Sequence, residues 1–176
     1  MAYDKDKVDT ALRNRLEACL EAIASSGFAS DIAKRIRIAD ISVDGVDLDE
    51  AGETRPLRSA QSTVACEIRV EDDMVNMAGN LHGGCGAWLV DVCSSLALLA
   101  LSGNARWTTS GVSTNLNLSY LVAAPSGTKL RLVTKVLQFG RVTSLLETRI
   151  ENAETGKLLT VGWHTKQDQY RPEAKL

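Results

Sequence analysis

The chain has 176 residues, in which 20 basic and 22 acidic side chains leave a formal net charge of −2. This length suits one well-buried domain and is short for two, so we expect a single domain over residues 1–176. The near-neutral balance gives no electrostatic reason to expect nucleic acid or a membrane surface as a partner. A small molecule or another copy of the chain is the partner that remains.

The two ends of the chain bear on its location in the cell. The amino-terminal segment MAYDKDKVDT has no apolar core of a signal peptide, and its acidic residues argue against a mitochondrial transit segment. The last three residues, Ala174-Lys175-Leu176, resemble the Ser-Lys-Leu peroxisomal address and follow a polar run that a receptor could reach. We expect peroxisomal import through such a receptor, with the cytoplasm as the alternative.

The first helix is predicted over about residues 5–27, because apolar residues recur at helical spacing and Gly27 ends the pattern. A strand is predicted over 34–43. The stretch 44–60, rich in Gly, Asp, Glu and Arg, is predicted to be an exposed loop. The core then spans about 61–167, and 168–176 form a polar tail.

Within the core, alternating apolar and polar residues predict five strands, and a longer apolar run between the first and second of them predicts a helix. The predicted strands cover 61–71, 111–122, 128–139, 141–151 and 157–167, and the helix covers 84–101. Short turns join the last three strands, which is typical of an antiparallel meander. The expected fold class is α+β, with a curled antiparallel sheet wrapped around one central helix and an extra amino-terminal helix.

The central apolar segment carries one charged residue, Asp91. A helix that is apolar all round belongs inside a protein or a membrane, so a carboxylate there is a candidate functional group. The accompanying Ser94 and Ser95 and the flanking alternating strands argue against a membrane span. We therefore predict a buried helix with a buried acid.

A His-Gly-Gly sequence stands where this helix begins, at residues 82–84. The first amides of a helix have no carbonyl partner within it and carry the positive end of its dipole, so they can hold an oxygen on which negative charge develops. A plain turn would explain two glycines alone. His82 and the nearby Asn76 add polar groups to the same helix start.

Asp91 lies eight residues after Gly83, which is about 12 Å along a helix axis. One carbonyl group cannot have its oxygen held at Gly83 and its carbon attacked under the control of Asp91 of the same chain. Two antiparallel copies of the helix about a two-fold axis would bring the two groups together. The spacing therefore predicts a homodimer with two shared sites.

Three segments together resemble a known family: N-x-x-G-x-L-H-G-G with L-V-D after it, GVSTNLNLSYLVAAPSG, and ETGKLLTVGWHTK. They are similar to the hotdog-fold acyl-CoA thioesterases of the His-Gly-Gly type, which include the phenylacetic-acid-pathway thioesterases and the small mammalian acyl-CoA thioesterases. The resemblance runs from about residue 61 to 166. It implies the hotdog fold and hydrolysis of a fatty or aromatic acyl-CoA to free acid and coenzyme A.

The resemblance also implies roles for individual residues. Asn76 and the amide of Gly83 would polarise the thioester carbonyl, and Asp91 of the partner subunit would act as general base on water or as nucleophile. Ser113 would orient the water, and His82 would position the loop. The family implies no metal or organic cofactor and a homotetramer built as a dimer of dimers.

Contacts to coenzyme A are less clear from the sequence. Arg141, after Gly140, and His164, on the last strand, are candidates for substrate binding. An exposed turn charge explains Arg141 at least as well, and an edge or core histidine explains His164 better. Lys166 and Arg171 are weaker candidates of the same kind. A large ring at Trp88 in the central helix departs from the family and leaves the acyl preference open.

The four cysteines show no metal-ligand or disulfide spacing, and Cys85 has no sequence neighbour placed to activate it, so packing thiols are predicted.

Two functions of other kinds remain open. A hotdog hydratase or dehydratase would move protons at the acyl chain with a histidine and a carboxylate, for which His82 and Asp91 are the candidates. A non-catalytic acyl-CoA-binding hotdog protein would be expected to lack the acid.

Overall fold

The computed structural model describes residues 5–48, 54–103 and 107–169 of the chain. Its elements follow the predicted order of a helix, two strands, a helix and four strands, with a four-residue helix, α2, added before the first strand. The bounds are α1 Lys5–Ser25, α2 Ser30–Ala33, β1 Arg37–Leu48, β2 Thr54–Arg69, α3 Gly83–Leu99, β3 Val112–Tyr120, β4 Lys129–Phe139, β5 Thr143–Asn152 and β6 Leu158–Gln167.

The six strands form one antiparallel sheet in the order β1-β2-β4-β5-β6-β3. The predicted meander of β4, β5 and β6 is confirmed. Strand β3 crosses over to pair with β6, which leaves β1 and β3 at the two edges. An edge strand presents unpaired backbone N–H and C=O groups to a possible partner, so β3 is open on the side away from β6.

The sheet curls around α3 and buries most of that helix. The apolar side chains on one face of β2, β4, β5 and β6 form one core cluster with α3, and α1 closes this cluster through Leu16 and Leu20. Gly162 on β6 permits the close approach, because a Cβ at that position would lie 3.0 Å from a methyl carbon of Val90. The predicted architecture, a curled sheet around one central helix with an extra amino-terminal helix, is confirmed.

The predicted exposed loop at 44–60 is wrong for most of its length. Residues 44–48 belong to β1 and residues 54–60 to β2, and the two strands pair as far as Leu48 and Thr54. Gly45, which suggested a loop, has a positive φ of 70° at a register shift, and a Cβ there would lie 3.1 Å from the Cα of Ala60. This glycine marks a β-bulge rather than a loop. Residues 49–53 lie outside the described residues.

The prediction of a buried acid is also corrected for the single chain. The side chain of Asp91 is 44% exposed in the single chain. It belongs to a stripe of α3 that the sheet leaves uncovered, with Gly84, Ala87, Trp88 and Ser95 at helical spacing. Central helix α3 therefore has a second face that another molecule can cover.

No helix among residues 5–48, 54–103 and 107–169 is long and apolar enough to cross a membrane. The peroxisome-like tripeptide at 174–176 lies outside the described residues.

Candidate active site

The start of α3 is organised by His82, its N-terminal cap. The Nδ1 atom of His82 accepts a hydrogen bond from the amide of Gly84 at 3.0 Å, and its carbonyl accepts one from the amide of Gly86 at 2.9 Å. The Gly83 amide has no hydrogen-bond acceptor among the described residues. It is therefore available for a ligand at the positive end of the helix dipole.

Asn76 lies in the tight turn that leads to this helix start. Its side-chain oxygen Oδ1 accepts hydrogen bonds from the amides of Ala78 at 2.9 Å and Asn80 at 3.3 Å. These contacts fix the side-chain amide with its oxygen toward the turn. The Nδ2 group, a donor, has no hydrogen-bond partner among the described residues.

A cleft of about 360 Å³ brings these two groups together. The hydroxyl of Tyr120, at the end of β3, donates to the carbonyl of Gly83 at 2.7 Å and fixes the helix start against the sheet. Nothing in the sequence indicates this contact, because Tyr120 and Gly83 are 37 residues apart along the chain. The residues lining the cleft are Asn76, Asn80, Leu81, Gly83, Tyr120, Leu121, Val122, Ala123, Ala124, Leu159 and Thr160.

Asp91 lies two helical turns further along α3 and is not among the residues that line this cleft. The hydroxyl of Ser113 on β3 donates to its Oδ1 atom at 3.4 Å. Because α3 is continuous from Gly83 to Leu99, the separation of about 12 Å predicted along its axis holds. One chain thus holds the unpaired amide of Gly83 and the carboxylate of Asp91 at two separate places.

Two buried side chains of β6 lie behind the carboxylate. The Nε2 atom of His164 lies 3.7 Å from Oδ1 of Asp91, and the Nζ atom of Lys166 lies 3.9 Å from the same oxygen. His164 is fully buried, with Nδ1 at 2.6 Å from the hydroxyl of Ser94. From the sequence, His164 is a candidate contact for coenzyme A with an edge or core histidine as the alternative, and Lys166 is a weaker candidate. The sequence does not show that this strand faces α3.

The histidine is uncharged at neutral pH. Burial, together with the neighbouring ammonium group of Lys166, lowers the pKa of His164 to about 4, against the opposing effect of Asp91. Burial also lowers the pKa of Lys166, and the charge of Asp91 counteracts that shift. The close approach of His164 to Asp91 is therefore a polar contact, whereas Lys166 supplies a charge.

Other candidate residues are placed away from this chemistry. Arg141 is exposed in the turn between β4 and β5. Burial raises the pKa of the Cys85 thiol to about 11, so this group is protonated at neutral pH, as expected for a packing thiol. In the part of the chain that the structure describes, no group of His, Cys, Asp and Glu side chains could hold a metal ion.

Comparison with known proteins places the chain in a family. Residues 78–159 match the model of the thioesterase superfamily. Human acyl-coenzyme A thioesterase 13 is 36% identical over 115 residues, which are 65% of this chain and 79% of that protein. The region 78–159 that matches the family model includes His82, helix α3 and strands β3 to β5.

Solved structures agree with this result. Zebrafish thioesterase superfamily member 2 superposes with a TM-score of 0.69 at 28% identity, over 88% of this chain and 96% of that one. The PaaI protein of the Escherichia coli phenylacetic acid degradation operon shares the fold, with a TM-score of 0.65 at 17% identity over 90% and 94% of the two chains. The chain therefore belongs to the thioesterase superfamily and has the hotdog fold that its motifs predicted.

Proposed function

We propose that the protein hydrolyses acyl-CoA thioesters to free acid and coenzyme A at sites shared between two subunits. The observation that carries this proposal is the division of α3 into an oxygen-binding start at Gly83 and a carboxylate at Asp91, with Ser113 hydrogen-bonded to it. The relationship to human acyl-coenzyme A thioesterase 13 supports the acyl-CoA substrate class.

Two donors are available to polarise the thioester carbonyl. The Gly83 amide is available because the first amide of a helix has no carbonyl partner within it, and among the described residues it has no other acceptor; His82 engages the next amide, that of Gly84. The Nδ2 group of Asn76 is free because the side-chain oxygen is held by the turn. Donors fixed in advance around a developing oxyanion stabilise the transition state without reorganisation, so His82 serves catalysis by positioning the loop.

Asp91 supplies the other half of the reaction. As general base, it takes a proton from water as the water oxygen attacks the carbonyl carbon; as nucleophile, it attacks that carbon itself and water then hydrolyses the anhydride. In both routes the carbon–sulfur bond breaks and the coenzyme A thiolate takes up a proton. The Ser113 hydroxyl, at 3.4 Å from Oδ1, orients the carboxylate or the water beside it.

A two-fold dimer brings the halves together. If Gly83 of one chain faces Asp91 of the other, the antiparallel helices cross at Ala87, and Trp88 lies beside the axis. The uncovered stripe of α3 contains these residues, and edge strand β3 exposes apolar side chains at Leu116 and Tyr120 on the face of the sheet that carries α3. A continuous face of this kind suits burial against a second copy.

Trp88 gives the proposed dimer a feature that bears on substrate choice. Its ring is half-buried and lies one helical turn before Asp91, so it approaches any thioester held at that carboxylate. A flat ring beside the reacting carbon can stack on an aromatic acyl group and shortens the space for a long chain. Both fatty and aromatic acyl-CoAs therefore belong in the substrate panel.

The same geometry disfavours a hydratase or dehydratase. The Nδ1 atom of His82 is occupied by the Gly84 amide, and His164 is buried behind Asp91. Neither ring is placed to move a proton at the acyl chain. A role for Arg141 or His164 in contacting coenzyme A stays a prediction, and the latter requires its ring to become exposed.

The proposed function is tested by release of free coenzyme A thiol from acetyl-, medium-chain, long-chain and phenylacetyl-CoA. We expect hydrolysis of at least one acyl-CoA with kcat in the usual enzyme range of about 1–1000 per second. Binding of the thioesters without hydrolysis of any of them would contradict the proposal and favour a non-catalytic binding protein.

Localisation is a separate proposal: we infer that Ala174-Lys175-Leu176 directs the protein to peroxisomes through the receptor for such endings. A fluorescent protein fused at the amino terminus should give punctate signal that overlaps a peroxisomal marker. Removing the three residues should make the signal diffuse. Identical distribution of the two forms would rule out this address.

A further inference from the structure

A buried lysine lies next to the proposed catalytic carboxylate. The side chain of Lys166 is only 4% exposed, and it points from β6 toward the face of α3 that carries Asp91. Lysine is almost never buried without a partner, because removing an ammonium group from water is costly. The groups around Lys166 must therefore compensate for the burial of its ammonium group.

The contacts around Lys166 fix its ammonium group. Its Nζ atom donates to the hydroxyl oxygen of Ser95 at 2.6 Å. That hydroxyl in turn donates its own proton to the backbone carbonyl of Asp91 at 2.8 Å, so its oxygen is free to accept from the lysine. The chain of bonds anchors the ammonium to the helical turn that carries the acid and leaves Nζ at 3.9 Å from Oδ1.

The other titratable groups near Lys166 do not supply a positive charge to this carboxylate. His164 is neutral at neutral pH, since its pKa is lowered to about 4. The thiol of Cys19 on α1 interacts electrostatically with the ammonium, and burial raises the pKa of this thiol. Arg15 of α1 is engaged with the carbonyl of Ser102 at 2.7 Å. Among the described ion pairs of Asp91, that with Lys166 is the one formed by a charged partner.

We propose that Lys166 is a positioning residue that keeps Asp91 ionised and oriented when the active site is covered. The proposal rests on the function proposed above. Covering the uncovered stripe of α3 with a second subunit and a substrate removes water from Asp91, which by itself favours the neutral acid. A neutral acid neither takes a proton from water nor attacks a carbonyl. The buried ammonium offsets this loss because its charge is held beside the carboxylate and screened little by solvent.

The test compares Lys166→Met with wild type in the pH dependence of kcat/KM. Methionine keeps most of the length and apolar volume of the lysine and removes the charge. We expect the acidic limb of the kcat/KM profile to move to higher pH by about one unit. In the variant, kcat/KM should then be about tenfold lower than in wild type at low pH and should equal it at high pH. The substrate KM should stay nearly constant. Lys135→Met, which removes an exposed lysine of β4, is the matched control and should leave the profile unchanged.

A loss of kcat/KM that is the same at every pH, or no loss, would overturn the proposal. Either result would leave the acidic limb at the pH of wild type, as expected for a lysine with a purely structural role. Should Lys166→Met fail to fold, Ser95→Ala removes the anchor and keeps the charge, and an unmoved acidic limb in this variant also overturns it. An NMR titration of carbon-13-labelled aspartate follows ionisation of Asp91 directly. This readout distinguishes failure of the lysine proposal from absence of acyl-CoA hydrolysis.

Discussion

Replacement of Asp91 by asparagine should reduce kcat for acyl-CoA hydrolysis by about 100-fold to 10,000-fold, the range over which a positioned proton acceptor acts. Asparagine has nearly the same size and shape but neither takes a proton from water nor forms an acyl anhydride. The proposed carbonyl-binding half of the site is unchanged, so KM should change much less than kcat. Steady-state release of coenzyme A thiol measures both quantities.

The variant needs a check on folding, because it leaves the buried ammonium of Lys166 without its charged neighbour. An uncompensated buried charge is destabilising, so a lower melting temperature is expected in addition to the kinetic loss. Asp40→Asn is the matched control, since Asp40 is an exposed acid on the distant edge strand β1 and its loss should leave kcat unchanged. Wild-type turnover by folded Asp91→Asn would exclude this residue from the chemistry.

The sequence predicted the order of the large elements because each strand and helix of the core has a clear apolar period. The prediction was wrong at 44–60, because the charged residues there suggested a loop, whereas β1 and β2 continue as an antiparallel pair. Gly45, which also suggested a loop, lies at a β-bulge. A polar composition alone cannot distinguish a loop from a pair of antiparallel strands.

The proposed carbonyl-binding half of the site could be predicted from the sequence, because its residues are close along the chain and the free amides of a helix start depend on local structure alone. The surroundings of Asp91 were not. Ser94 and Ser95 are near it in sequence, but His164 and Lys166 reach it through the pairing of β6 within the sheet. Alternation on β6 places both residues on one face, yet only the sheet order shows that this face meets α3. The sequence could therefore identify the acid without identifying what holds it.

Subunit complementation should give the clearest evidence for shared sites. Asn76→Ala and Asp91→Asn each leave a homodimer with two defective sites, and removing an oxyanion donor such as Asn76 costs about 100-fold to 1000-fold in kcat. In a mixed dimer of the two variants, one site combines native Asn76 from one chain with native Asp91 from the other. Mixed dimers isolated through two different tags should recover about half of the wild-type rate per dimer.

The reciprocal mixture makes this experiment decisive. A dimer of one wild-type chain and one chain carrying both substitutions has one defect in each shared site, so it should be nearly inactive. If each chain instead contained a complete site, the outcomes would be reversed: the first mixture would be inactive and the second would retain about half of the rate. The separation of about 12 Å between Gly83 and Asp91 along α3 predicts the shared arrangement, because no thioester carbon can contact both groups of a single chain.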